Sequence, residues 1–82
     1  MGQEQETAIE ILRLFRGDGS EAWDLHAFFE LVAGDDQDRR ASVLDVVDRL
    51  VTEGCLESRG SDFFTITRKG EEAVRRGEVH GW

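Results

Sequence analysis

Apolar and polar residues alternate along this chain with two periods, helical through most of it and strand-like near residue 60. Ala8, Ile11, Leu12 and Phe15 recur at i, i+3, i+4 and i+7, one face of a helix. Thr7 and Glu10 stand three apart, the spacing of a capping box, so the helix is expected from Thr7, with earlier residues extending or fraying it. It should end at Arg16, before the turn signal Gly17-Asp18-Gly19-Ser20. Glu21-Ala22-Trp23 reads as a short extended piece. Asp24 then caps a second helix, on which Leu25, Phe28, Phe29 and Val32 repeat at helical spacing and which Gly34 and Asp35 stop.

Asp35 or Asp36 caps a third helix with apolar positions Val43, Val46, Val47, Leu50 and Val51, its stripe widened by Leu44. So many β-branched residues make a mediocre helix in isolation, and tertiary packing must hold it, as suits a central helix. Gly54 is its expected stop, in a left-handed conformation. The period then changes. Cys55-Leu56-Glu57-Ser58 and Phe63-Phe64-Thr65-Ile66 are two short strands joined by the turn Arg59-Gly60-Ser61-Asp62, with Phe64 and Ile66 on one face and Phe63 and Thr65 on the other. Thr67 caps a fourth helix to about Arg76, with Ala73 and Val74 as its apolar residues. The expected core is Ile9, Leu12, Phe15, Leu25, Phe28, Val32, Val43, Val47, Leu50, Leu56, Phe64 and Ile66.

Composition narrows the class. A chain of 82 residues holds one domain, taken as 1–82 with its core in 7–76 and residues 77–82 as a tail. No apolar run approaches the roughly 18 residues of a membrane span, and the N-terminus lacks the basic start and apolar stretch of a signal peptide, so no membrane partner and a cytoplasmic location are expected. The net charge of −8 is the wrong sign for holding phosphates. It is also uneven: residues 1–38 hold ten acids and two bases, whereas residues 39–82 hold eight of each. A local field near a binding face therefore matters more than the total.

The order α-β-α-α-β-β-α, an α+β arrangement, resembles a small winged helix-turn-helix domain with a two-stranded wing. The residues closest to that group are Arg49-Leu50-Val51-Thr52-Glu53-Gly54-Cys55-Leu56, where the third helix turns into the sheet, and Ile66-Thr67-Arg68-Lys69-Gly70, where the wing enters the last helix. Both are similar to transcriptional regulators of the MarR and PadR type. The resemblance implies a recognition helix at about 36–53 and a wing at about 55–67. The expected double-stranded DNA contacts are then Gln37, Arg39, Arg40 and Ser42 on the helix, Arg59 and Ser61 on the wing, and Arg68 and Lys69 at its base. Asp45 stands where such regulators often carry a basic or polar contact residue. Asp35, Asp36 and Asp38 suit a helix N-terminus but would repel phosphate there.

Catalytic chemistry has little to stand on. Cys55 falls at a buried strand position, His26 and Glu30 form a helical surface pair by spacing, and no nucleophile triad, phosphate loop or metal-ligand spacing occurs. No enzyme activity, cofactor or metal is expected. Two functions remain. One is a DNA-binding transcriptional regulator, as a homodimer through apolar residues such as Leu14, Val79 and Trp82. The other is an acidic winged helix that binds a basic protein and not DNA.

Overall fold

The computed structural model describes residues 3–15, 22–60 and 62–79. Its elements are α1 (Gln3–Arg13), β1 (Ala22–Asp24), α2 (Leu25–Phe28) continuing as a π-helical segment (Phe29–Ala33), α3 (Gln37–Glu53), β2 (Leu56–Ser58), β3 (Phe63–Ile66) and α4 (Arg68–Arg76). The α+β class and the order α-β-α-α-β-β-α match the expectation. The three strands form one antiparallel sheet in the order β1-β3-β2, with Trp23 opposite Phe64 on one side and Leu56 opposite Ile66 on the other.

Helix starts follow the local chemistry of the sequence. The Asp24 carboxylate accepts the Ala27 N–H at 2.8 Å, and Asp36 accepts those of Asp38 and Arg39. The first helix differs from the expectation. It begins at Gln3, so Thr7 lies inside it and is buried, and no capping box forms there. It is regular to Arg13, after which Leu14 and Phe15 bond back to Ile11 and Leu12 at i−3 spacing, the tightened last turn of a helix. Arg16 lies outside the described residues. The second helix also departs from regularity. The Gly34 N–H reaches the Phe29 carbonyl at 2.8 Å, five residues back, so the helix widens before Gly34 reverses the chain.

The core runs from α1 through α3 to the sheet: Ile9, Ile11 and Leu12, then Phe28, then Val43, Val46, Val47 and Leu50, then Leu56 and Ile66. Phe15, Leu25, Val32 and Phe64, expected within it, are half-buried and pack against it. The Phe28 ring lies 6.0 Å from Phe15 and 5.9 Å from Phe64, and so bridges α1 and the sheet. Leu44 does not widen the core; it is half exposed. Thr65, on the opposite sheet face from Ile66, is also buried, its hydroxyl accepting from Arg59 Nε at 3.3 Å. Val79 is a further addition to the core. Its backbone N–H donates to Gln5 Oε1 at 2.7 Å and its side chain is buried, so this part of the tail is tied to α1.

Backbones approach closely at the junction between α3, the sheet and α4. Gly54 adopts φ +89°, and the Gly54 and Cys55 N–H groups bond to Val51 and Leu50, closing α3 in a Schellman turn. Thr67 Oγ1 donates to the Gly54 carbonyl at 2.6 Å and accepts the Gly70 N–H at 3.1 Å, so one side chain caps α4 and anchors it to the end of α3. A Cβ on Gly70 would strike the Cys55 carbonyl oxygen and lie 2.8 Å from Ile66 Cγ1. Glycine is required there because two backbones touch.

Two substitutions test this junction. Gly70→Ala should lower unfolding free energy in urea by about 1–3 kcal/mol, since the obstacle is backbone and cannot rotate away. Thr67→Val, which keeps the shape and removes the hydroxyl, should cost about 1–2 kcal/mol in the same measurement.

Candidate nucleic-acid interface

Residues 37–69 contain every side chain expected to meet DNA, and the first question is where each one points. Gln37 and Ser42 are exposed on the first turns of α3. Arg39 leans toward α1, where its Nη2 meets Glu10 Oε1 at 2.8 Å. Arg40 leans the other way. Its Nε donates to the Gly34 carbonyl at 2.8 Å, its Nη2 lies 3.7 Å from Glu30 Oε2, and its guanidinium sits 5.9 Å from the Phe29 ring centre. Arg49 reaches Glu4 of α1 at 3.3 Å. The arginines of α3 therefore hold its flanks to its neighbours.

These contacts differ in strength. Arg39 and Glu10 are both about half exposed, and such a pair contributes at most about 1 kcal/mol. Arg40 makes a charge-assisted bond to a carbonyl at the C-terminal end of the second helix, where the helix dipole favours a cation, and stacks on an aromatic face. Its release costs more than that of Arg39.

Of the three bases on the hairpin and at the start of α4, Arg59 and Lys69 are engaged in the same way. Arg59 pairs with Glu57 at 3.4 Å and bonds Thr65. Lys69 Nζ donates to the Glu53 carbonyl at 2.8 Å and so caps the last turn of α3. Arg68 is exposed and has no hydrogen bond or ion pair among the described residues. Ser61 lies outside the described residues, as do His80 and Trp82. The structure thus brings Arg39, Arg40 and Ser42 to one end of α3 and Arg68 and Lys69 to the other, with Arg59 on the hairpin.

The stripe of α3 opposite its buried face carries acids and no base. Asp38, Ala41, Asp45, Asp48 and Thr52 follow at steps of three and four, and all are exposed, opposite the buried Val43, Val46, Val47 and Leu50. Among the described residues no ion pair joins Asp38, Asp45 or Asp48 to a base. Beside this stripe, Leu25, Leu44, Val47, Val51 and Phe64 line an apolar groove between α3 and the sheet, with Asp48 on its edge. Sequence reasoning singled out Asp45 but missed Asp48 and the groove. The three-four spacing of the aspartates was the available signal.

No other described site has catalytic geometry. His26 and Glu30 are 3.8 Å apart and exposed, the surface pair expected. No group of three metal-ligating side chains occurs among the described residues. Leu14 is half-buried against the core and Val79 is buried, so neither is available for the expected dimer.

Cys55 is buried at the α3–sheet junction, and its burial raises the thiol pKa above its usual value, with Lys69 opposing the rise and Glu53 adding to it. A raised native pKa means that the unfolded thiol ionises first as pH increases. Stability should be undiminished below about pH 8.5, the ordinary thiol value, and fall as pH rises through the native one. Urea melts across pH 7–10 should show this decline, and Cys55→Ala should flatten it. Comparison with known proteins adds no relative to this picture: no family model matches the chain, and no curated protein or solved structure matches it.

Proposed function

We propose that the chain is a winged helix that docks a basic protein segment on the solvent face of α3, and that it does not bind duplex DNA. One observation carries this reading: the outward face of α3 presents Asp38, Asp45 and Asp48, while Arg39 and Arg40 are turned to the flanks and bonded within the protein. A recognition helix earns its affinity largely through phosphate neutralisation and counterion release. Here, placing α3 in a major groove brings carboxylates toward phosphates. It also requires Arg39 to leave Glu10 and Arg40 to leave the Gly34 carbonyl. Glu4 and Glu10 of α1 are matched by Arg49 and Arg39, but Glu6, which shares a cleft with Asp38 and Ser42, adds to the same field. Such a surface attracts Lys- and Arg-rich segments and speeds their encounter.

The test uses the whole chain, a labelled oligolysine peptide and a labelled mixed-sequence duplex, followed by fluorescence anisotropy at low salt. The peptide should bind and weaken as salt rises, and Asp45→Lys/Asp48→Lys should reduce its affinity about tenfold or more. The charge-matched variant Glu72→Lys/Glu78→Lys, on α4 and just after it and away from that face, should change it by less than about threefold. Duplex binding that disappears in Arg39→Ala/Arg40→Ala overturns the proposal in favour of a DNA-binding regulator. Absence of peptide binding even at low salt overturns it too, and leaves the aspartates as a solubilising surface.

A further inference from the structure

We infer that the segment docked on α3 is an amphipathic helix, with apolar anchors in the groove between α3 and the sheet and Lys or Arg residues on the aspartates beside it. This deepens the reading of α3 as an acidic docking face and rests on it. The groove is open and apolar. Val47 forms its floor, Leu25, Val51 and Phe64 are half-buried along it, and Leu44 stands 50 % exposed at its wall. A leucine left so exposed, continuous with half-buried apolar neighbours, marks a surface with an unfilled contact.

Its shape selects the occupant. Leu44, Val47, Asp48 and Val51 line it from one edge of α3, spaced i, i+3, i+4 and i+7. That edge spans two helical turns, about 10 Å. A partner helix laid along it can seat two anchors three or four residues apart, the helix-in-groove mode of peptide recognition.

Its charge selects further. Asp48 lies on the edge of the groove, and Asp45, adjacent to Leu44, is exposed with no ion-pair partner among the described residues. An apolar anchor flanked by basic residues satisfies both features. An acidic amphipathic helix meets like charge, and a second copy of this chain would bring Asp45 and Asp48 against their own counterparts across a two-fold axis.

Three synthetic probes separate these possibilities. One is a helical peptide of leucines at i, i+3, i+4 and i+7 with lysines elsewhere. The second replaces its lysines by glutamates. The third is an oligolysine with the same charge as the first. Calorimetry should show the leucine–lysine peptide binding at least about tenfold more tightly than oligolysine, from the added apolar contact. Amide shifts in NMR spectra should cluster at Leu44, Val51 and Phe64. Leu44→Gln, at an exposed position, should remove most of the difference between the two peptides and leave the fold intact.

Equal binding of oligolysine and the leucine–lysine peptide, unchanged by Leu44→Gln, overturns the groove while leaving the acidic face standing. Failure of both lysine peptides to bind overturns the two readings together. Equal binding of the leucine–glutamate peptide removes the role of charge. A dimer in sedimentation equilibrium that Leu44→Gln dissociates identifies a second copy as the occupant and overturns the proposal.

Discussion

Two backbones touching at Gly70 hold this fold together. The Cys55 carbonyl accepts the Thr67 N–H at 3.0 Å and lies where a side chain on Gly70 would have to go. Around that contact four elements end or begin within a few residues: the Schellman turn closing α3, the start of β2, the end of β3 and the cap of α4. Thr67 and Lys69 bond carbonyls of Gly54 and Glu53, so the last turn of α3 has its acceptors filled from α4. The angle of α3 against the sheet is set here. So is the groove between them, because Val51 on α3 and Phe64 on β3 both lie within one or two turns of the junction.

The other end of α3 is held differently. There the contacts are side-chain ion pairs and one arginine–carbonyl bond, from Arg39 to Glu10 and from Arg40 to Gly34. These two arginines carry the expectation of DNA binding, and here they tie α3 to its neighbours. A helix braced on its flanks by cations presents its remaining charge outward, and that charge is negative. Three acids, Asp38, Asp45 and Asp48, thus stand on the face that a nucleic-acid reader would need to keep basic or neutral.

How legible this was depends on distance along the chain. Gly54, Thr67 and Asp36 were readable because a cap needs only three or four neighbouring residues. The strand alternation of Phe64 and Ile66 and the helical faces of Ile9, Leu12, Val43 and Leu50 were readable because burial imposes their period. The Arg39–Glu10 pair was not, since 29 residues separate its partners and no local pattern links them. Nor was the docking of Val79 on Gln5 across 74 residues. Leu44 was misread for another reason. A stripe of Val43, Leu44, Val46 and Val47 fits more than one helical face, and only the packing of α1, the second helix and β2 against α3 decides which residue is left outside.

That last distinction bears on function. Had Leu44 filled the core, α3 would be a purely polar ridge on which only long-range charge could act. With Leu44 outside and Val51 and Phe64 half covered behind it, the same ridge acquires an apolar side next to its acidic one. Charge alone draws many basic segments and holds none in register, because solvated ion pairs are weak and screened by salt. A groove two turns long, set by a backbone junction that tolerates no side chain at Gly70, supplies the directional contact that charge lacks. On the proposed reading, the junction and the acidic face are parts of one device, the first fixing the geometry in which the second can discriminate.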